Sequence, residues 1–261
     1  MDLSLKNKTA VICGSSQGIG LACAREIALL GANCVLLARN ETALQQALET
    51  LDTAQGQQHS YLIADFSDPS SVRQTMENFA EKNVVHILVN NTGGPPPGPA
   101  IDATPDKFLA AFNQHLICNQ ILVQAVVPSM KREKYGRIIN VISTSVKIPL
   151  KNLGVSNTIR GAVASWSKTL TNELGQFNIT VNNILPGTTK TSRLESLLKN
   201  NMEKKSISRE EAENEMKKDI PMHRFADPEE LGALAAFLAS PAASYITGVS
   251  IAVDGGRTGC L

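Results

Sequence analysis

One stretch near the N-terminus, residues 9–30, limits most strongly what this chain can fold into. It begins with the short apolar run Thr9–Cys13, and the glycines Gly14, Gly18 and Gly20 follow in a GxxxGxG spacing before helical periodicity starts. Glycine lets a backbone turn tightly and approach a ligand, and the N-terminus of the next helix attracts anions. The stretch predicts a strand, a turn and a helix that bind a diphosphate. An ordinary strand-to-helix turn with nothing bound is the alternative.

The rest of the chain repeats this alternation of short apolar runs and longer helical patterns. Further strands are predicted at residues 34–38, 61–65, 84–89, 136–143, 179–185 and 248–253. The helices are predicted at residues 19–30, 41–56, 69–82, 105–131, 155–177 and from 227 onward. This order predicts one α/β domain over residues 1–261, a Rossmann-type doubly wound fold with a seven-stranded parallel sheet and helices on both faces. The polar segment at about 188–224 is predicted to be a lid that covers the substrate.

Composition excludes several classes of function. The formal net charge is +1 and the isoelectric point is near 7.6, so neither nucleic acid nor an anionic membrane is an expected partner. No apolar run approaches the ~20 residues of a membrane span, and the first ten residues do not resemble a signal peptide. We therefore expect a cytoplasmic protein. The five cysteines lack metal-ligand spacing, so no metal site is expected, and only Cys260 is expected to be exposed.

The end of the second predicted strand bears on cofactor choice. In dinucleotide-binding folds an acidic residue there binds the ribose hydroxyls, whereas a basic residue accommodates a 2′-phosphate. Here Ala38 is followed by Arg39, which favours NADP(H) over NAD(H), since a guanidinium binds phosphate well. A merely solvated Arg39 is the alternative. Asp65 ends the third strand, where it either meets the ligand or caps the turn that follows.

At this point the sequence resembles the short-chain dehydrogenase/reductase family, in particular the 3-oxoacyl-acyl-carrier-protein reductases. CGSSQGIG at 13–20 stands for the family's TGxxxGIG and NNTG at 90–93 for its NNAG, and GRIINVIS at 136–143 and ITGVSIAVDGG at 246–256 also match. The resemblance implies an NADP(H) site in which Arg39 binds the 2′-phosphate and Asp65 the adenine. The residues that it places along the diphosphate are Gly14, Ser16, Gly18 and Ile19. It places Asn91 and Gly93 beside the adenosine ribose, and the backbone of Pro186, Gly187 and Thr189 at the nicotinamide.

The departures from the family pattern concern its active site of Asn, Ser, Tyr and Lys. Ser143 matches the family serine, but Ser156 stands where the tyrosine belongs and Arg160 where the lysine belongs. His115 stands where the family has its asparagine. The resemblance therefore implies Ser143, Ser156, Arg160 and His115 as the catalytic positions, with one of the four family residues kept.

These substitutions change the acid chemistry. A serine hydroxyl is much less acidic than a phenol, and arginine stabilises an oxyanion without serving as a general acid. His115, with an ordinary pKa of ~6.5, is the candidate replacement, acting through a relay of water and Ser143 or Ser156. A helix histidine bonded to a backbone carbonyl is the alternative. Tyr135 is predicted to lie at the opposite edge of the sheet from Ser143.

Two functions therefore remain open. The first is an NADP(H)-dependent oxidoreductase, 3-oxoacyl reductase-like, acting on a small carbonyl or alcohol substrate with non-standard acid catalysis. The second is a catalytically impaired dinucleotide-binding module with a regulatory or interaction role. The resemblance also implies a homo-oligomer, a tetramer or dimer, assembled through helices 105–131 and 155–177. Apolar residues of these helices, such as Ile121, Leu122, Val163 and Trp166, either form that interface or belong to the internal core. The basic residues of the lid either meet an acidic ligand or carrier protein or form a solvated helix face; they are Lys190, Arg193, Lys199, Lys204 and Lys205.

Overall fold

The computed structural model describes residues 1–260 and is built around a seven-stranded sheet. All neighbouring strands are parallel, in the order β3-β2-β1-β4-β5-β6-β7. The strands are β1 Thr9–Cys13, β2 Asn33–Ala38, β3 Ser60–Ile63, β4 Ile87–Asn90, β5 Gly136–Val141, β6 Ile179–Pro186 and β7 Ser250–Val253. The predicted fold class is confirmed.

Helices cover both faces of this sheet. They are α1 Gly18–Leu29, α2 Glu41–Leu48, α3 Pro69–Ala80, α4 Pro105–Phe112, α5 Cys118–Glu133, α6 Gly154–Leu174, α7 Ser192–Lys205, α8 Arg209–Lys218 and α9 Pro228–Ala239. Buried residues of α1, α2 and α9 pack on one face, and those of α3, α5 and α6 on the other. Alternate residues of β1 enter the two cores, which explains why its sequence is a continuous apolar run rather than an alternating one.

The second helix is shorter than predicted, since α2 ends at Leu48 rather than at residue 56. The chain after it turns back toward the end of α1. Gln57 Nε2 donates a hydrogen bond of 2.8 Å to the Ala28 carbonyl, and Gln55 Nε2 donates one of 3.1 Å to the Leu29 carbonyl. These contacts satisfy the C-terminal carbonyls of α1, so tertiary structure overrides the helical pattern of residues 49–56.

The predicted long helix 105–131 is interrupted. A π-helical turn, Asn113–Ile117, separates α4 from α5, and α5 continues to Glu133. Such turns insert an extra residue into a helix and often occur at functional sites. The residue it repositions here is His115, which is buried.

The strand order reverses between β1 and β4, so the turns after these two strands meet at the carboxyl edge of the sheet. Ligands bind at this position in open α/β folds. Asn91, directly after β4, donates from Nδ2 to the carbonyl oxygens of Cys13 and Gly14, both at 3.3 Å. The glycine-rich turn and the NNTG segment are therefore joined at the switch point.

Residues 188–224 form α7 and α8 with a small core of their own, made of Leu194, Leu198, Ala212, Ile220 and Phe225. Its role as a lid stays a prediction. Ile121, Leu122 and Val163 are buried inside the fold, so they belong to the core and not to a subunit interface. Within residues 1–260 no helix combines the length and apolarity needed to cross a membrane.

Candidate active site

The glycine-rich turn is shaped to receive an anion. Gly14 and Gly18 both have φ of +58°, a left-handed backbone that residues with a Cβ rarely adopt. Gln17 precedes α1 without capping it, so side chains leave the first N–H groups of the helix free. Ser16 and Ile19 belong to the same turn. These free donors and the positive end of α1 suit the diphosphate of a dinucleotide, so the residues present fit the predicted cofactor.

The adenosine end of this edge carries Arg39 and Asp65. Arg39 is exposed immediately after β2, and Asp65 lies just beyond β3. Hydrogen bonds from Ser67 hold the pKa of the Asp65 carboxyl below its ordinary value, and the nearby charge of Arg39 contributes to the lowering. Both sequence-predicted positions are found at the expected edge of the sheet.

An Arg39→Ser protein is expected to bind NADPH about tenfold more weakly, because it loses one charge-assisted phosphate contact worth ~1.5 kcal/mol. NADH has no 2′-phosphate, so its affinity should stay within about twofold. Fluorescence titration of both nucleotides measures this difference. Arg132→Ser, at the exposed C-terminal end of α5, is the control. Equal weakening of NADH and NADPH would contradict the assignment of Arg39.

The predicted nicotinamide end is a turn that leads from β6 into the 188–224 segment. The Gly187 N–H donates to the Val253 carbonyl at 2.9 Å, and Thr189 Oγ1 donates to the Gly187 carbonyl at 3.2 Å. A Cβ placed on Gly18 would lie 3.3 Å from the methyl carbon of Thr191. The segment after Pro186 thus begins directly above the glycine-rich turn. At the adenosine side, a Cβ on Gly93 would meet no atom within 4 Å.

Ser143 and α6 meet at this same edge. Ser143 caps the short turn after β5, where its Oγ accepts a hydrogen bond of 3.1 Å from the Ser145 N–H. Ser156 and Arg160 are four residues apart in α6, so they share one face of the helix. Arg160 Nη1 donates to the Val141 carbonyl at 3.2 Å, two residues before Ser143. The arginine is thereby tied to the strand that carries the serine.

Arg160 is a buried cation, only 8% exposed. Its second contact runs from Nη2 to the Thr92 carbonyl at 3.4 Å. Burial and, to a smaller extent, the charge of Arg193 lower the pKa of Arg160 to about 10. The guanidinium remains protonated at neutral pH, as the sequence predicts, so it can stabilise an oxyanion but is a poor proton donor.

His115 lies beside this arginine, and its environment changes the expectation for its acid chemistry. The side chain is 1% exposed, and Nδ1 lies 2.6 Å from Thr92 Oγ1. Burial, and then the charge of Arg160, lower the pKa of His115 to about 2. The ordinary value of ~6.5 expected from the sequence is therefore wrong for the folded protein, in which the imidazole is neutral. The alternative from the sequence, a histidine bonded to a backbone carbonyl, is not what the structure has, because Nδ1 is bonded to the Thr92 hydroxyl.

Thr92 is a site residue that the sequence analysis missed, and Arg193 is one that it named only among the other basic residues of the lid. Thr92 contacts His115 through its hydroxyl and Arg160 through its carbonyl. A signal for it exists, because NNTG has threonine where the family's NNAG has alanine. Arg193 Nη2 donates to the Pro95 carbonyl at 3.2 Å, and no local pattern distinguishes it from the other basic residues around it. Tyr135 is absent from this site, since its hydroxyl donates to the Ala239 carbonyl at 2.6 Å.

Comparison with known proteins decides the family. Residues 14–258 match the family model described as Enoyl-(Acyl carrier protein) reductase. The chain is 33% identical over 256 residues to the NADPH-dependent reductase BacG of Bacillus subtilis (strain 168), covering 97% of this chain and 98% of that protein. It is 34% identical over 256 residues to the 3-oxoacyl-acyl-carrier-protein reductase FabG of Chlamydia trachomatis serovar D, with the same coverage of 97% and 98%.

The chain belongs to the short-chain dehydrogenase/reductase family.

Solved structures of the short-chain dehydrogenase/reductase family agree with this assignment. The L-sorbose reductase of Gluconobacter frateurii, solved with NADPH and L-sorbose, superimposes with a TM-score of 0.93. It shares 32% sequence identity, and the match covers 100% of both chains. BacG is named as NADPH-dependent and the L-sorbose reductase was solved with NADPH, which is the cofactor that Arg39 predicts for this chain. The catalytic roles of Ser143, Ser156, Arg160 and His115 stay predictions.

Proposed function

We propose that this short-chain dehydrogenase/reductase is an NADP(H)-dependent oxidoreductase that interconverts a carbonyl and an alcohol, in the manner of a 3-oxoacyl reductase. The glycine-rich turn and Arg39 supply the features that NADP(H) needs. Relatives that are similar over nearly the whole chain are named as NADPH-dependent or oxoacyl reductases. In this proposal the substrate binds beside Ser143 and α6, near the start of the 188–224 segment.

The observation that carries this proposal is that three of the residues departing from the family pattern, Thr92, His115 and Arg160, are joined by hydrogen bonds. Thr92 stands for alanine, His115 for asparagine and Arg160 for lysine. Thr92 bonds His115 at 2.6 Å and accepts from Arg160 at 3.4 Å, so the three form one network. Random loss of an active site would leave scattered changes and apolar filler. A connected polar network at the positions of the family's catalytic asparagine and lysine favours retained chemistry.

In the reducing direction, the carbonyl takes a hydride at carbon and a proton at oxygen. Bound NADPH supplies the hydride from its nicotinamide ring, as in all nicotinamide enzymes. The charge of Arg160 stabilises the developing oxyanion, and the Ser143 hydroxyl donates a hydrogen bond to the same oxygen. Both groups are held in advance, Arg160 by two backbone carbonyls and Ser143 by the Ser145 N–H.

The proton reaches the oxygen through a relay of His115, water and the hydroxyls of Ser143 or Ser156. Because the pKa of His115 is lowered to about 2, the imidazole stays neutral and orders the relay by hydrogen bonding, and the proton that the oxygen receives is drawn from solvent water. Nδ1 is bonded to Thr92, and Nε2 is buried without a partner among residues 1–260. That nitrogen is free to join a water or a substrate.

A second candidate is a dinucleotide-binding module without turnover, and the positions of the tyrosines favour it. The chain has three tyrosines. Tyr61 bonds Glu41, Tyr135 bonds the Ala239 carbonyl, and Tyr245 is fully exposed. No phenol therefore replaces the proton donor of the family, whose loss typically removes ~10²–10⁴ in rate.

An assay of turnover on a panel of carbonyl compounds, measured as the loss of NADPH absorbance, separates the two candidates. If the native chain is an enzyme, Ser143→Ala is expected to lower kcat/KM by about 10²-fold, since one oxyanion donor is lost, with NADPH affinity unchanged. A Ser156→Tyr/Arg160→Lys double variant restores the family residues and serves as the comparison. NADPH binding with turnover only in the double variant would instead establish the binding module.

The predicted homo-oligomer stays a prediction, with some support at α4 and α6. Phe108, Leu109, Phe112 and Ile159 line an open apolar hollow of about 700 Å³ between these helices. Leu109 is also exposed. Exposed apolar surface of this kind is common at interfaces between subunits.

A further inference from the structure

Arg160 and Arg193 come from distant parts of the chain and meet on one short loop. Arg160 donates to the Thr92 carbonyl and Arg193 to the Pro95 carbonyl, three residues further along. A Cβ on Gly94, between these two, would lie 3.7 Å from Arg160 Nη2. The charge of Arg193 also acts on Arg160 and helps to lower its pKa. Both guanidinium groups therefore contact the 92–95 loop.

Neither arginine has an acidic partner. No salt bridge within residues 1–260 includes Arg160 or Arg193. Glu195 is only two residues from Arg193, but its carboxylate takes two bonds from Arg209, at 2.8 and 2.9 Å. Two other basic residues of the segment are neutralised, Lys190 by Asp227 and Lys205 by Glu215. Positive charge is left uncompensated at the loop.

A buried cation without a counterion is costly, so a site that keeps one is built for an anion. Arg160 is more than nine-tenths buried, and repulsion from Arg193 adds to the cost. The diphosphate of the cofactor has its own donors in the glycine-rich turn. An additional anion at the loop must therefore come with the substrate.

We propose that the substrate is an oxo acid whose carboxylate is bound by Arg193 and Arg160 on the 92–95 loop. This rests on the proposed function, since Arg160 also lies beside the reacting carbonyl in that scheme. Arginine forks match a carboxylate through two parallel hydrogen bonds. Because Arg160 serves both groups, the carboxylate lies within a few bonds of the carbonyl carbon, as in a 2-oxo or 3-oxo acid. Arg193 is a binding residue contributed by the predicted lid.

Oxamate, its uncharged isostere oxamide and inorganic phosphate are the probes, each titrated calorimetrically against the native chain saturated with NADP⁺. We expect oxamate to bind at least about tenfold more tightly than oxamide, because a charge-assisted bond is worth ~1.5–3 kcal/mol. Arg193→Gln should remove most of this preference. Arg132→Gln, the same change on the remote end of α5, should keep it.

Three results would overturn the proposal: equal binding of oxamate and oxamide, an Arg193→Gln protein with the native preference, or tighter binding of phosphate than of oxamate. A fourth titration, of NADPH to the same proteins, identifies the source of the anion. If Arg193→Gln weakens NADPH instead of oxamate, the arginines serve the cofactor and the proposal fails. These readouts require no turnover, so a chain that binds oxamate through Arg193 yet reduces no carbonyl would refute the enzyme and leave the carboxylate site standing.

Discussion

A Gly20→Ala protein is expected to be destabilised by ~3 kcal/mol, the upper end for overpacking in a close-packed region, and to lose measurable NADPH binding. Gly20 lies in the first turn of α1, where a Cβ would collide with the carbonyl oxygen of Gly14. It would also lie 2.8 Å from Asn91 Nδ2. These two groups join the glycine-rich turn to the NNTG segment. The methyl group of alanine at position 20 would therefore push these two parts of the cofactor site apart.

Urea denaturation and NADPH fluorescence titration measure the two effects. Gly161→Ala is the matched control, because Gly161 lies inside α6 and a Cβ there meets nothing within 4 Å. That variant should be more stable by ~0.5–1 kcal/mol, since alanine loses less entropy than glycine in a helix. A Gly20→Ala protein with native stability and native NADPH affinity would show that the turn is looser than described.

The second large effect is a loss of stability in acid that comes from two buried histidines. Burial, with a smaller contribution from Arg160, lowers the pKa of His115 from 6.5 to about 2. Burial and the charge of Lys8 lower the pKa of His86 from 6.5 to about 4, against a small opposing effect of Glu133. Below pH ~6.5 the unfolded chain binds protons that the folded chain does not, so stability is full above that pH and falls as the pH drops. Each histidine lowers the free energy of unfolding by ~1.4 kcal/mol per pH unit, and the two together lower it by ~5 kcal/mol between pH ~6.5 and ~4.5.

The contribution of the two histidines to the acid dependence of stability is measured with a His86→Gln/His115→Asn double variant. Its free energy of unfolding, taken from urea titrations at several pH values, should fall by ~5 kcal/mol less than that of the native chain over this range. His223→Asn is the control, because His223 is exposed and has a left-handed φ of +50° that asparagine tolerates. Identical acid dependence in the native and double-variant proteins would contradict the burial of these imidazoles.

Much of the cofactor site could be predicted because its features are local in the chain. The GxxxGxG spacing, the apolar run before it and Arg39 after β2 are all read within a few residues of one another. Parallel strands place their carboxyl ends at one edge, so these features come together once the fold class is known. The positions of Ser143, Ser156 and Arg160 follow from the same rule, since each lies at or after the end of β5.

The environment of His115 could not be predicted in this way. Its pKa depends on how completely water is excluded and on the distance to Arg160, which is 45 residues further along the chain. His115 lies in a π-helical turn and is bonded to Thr92, and helical periodicity indicates neither feature. The early end of α2 has a similar origin, because Gln55 and Gln57 bind the end of a different helix.

The sequence by itself therefore determined the wound sheet, the diphosphate turn and the preference for a phosphorylated dinucleotide, all of which depend on periodicity and short spacings. Only the tertiary structure decided that Thr92, His115 and Arg160 form one network and that Arg193 joins it from the 188–224 segment. The physical reason is that charge, desolvation and hydrogen bonding act through space over a few ångströms. Residues 92, 115, 160 and 193 reach such distances only when strands, helices and loops have packed.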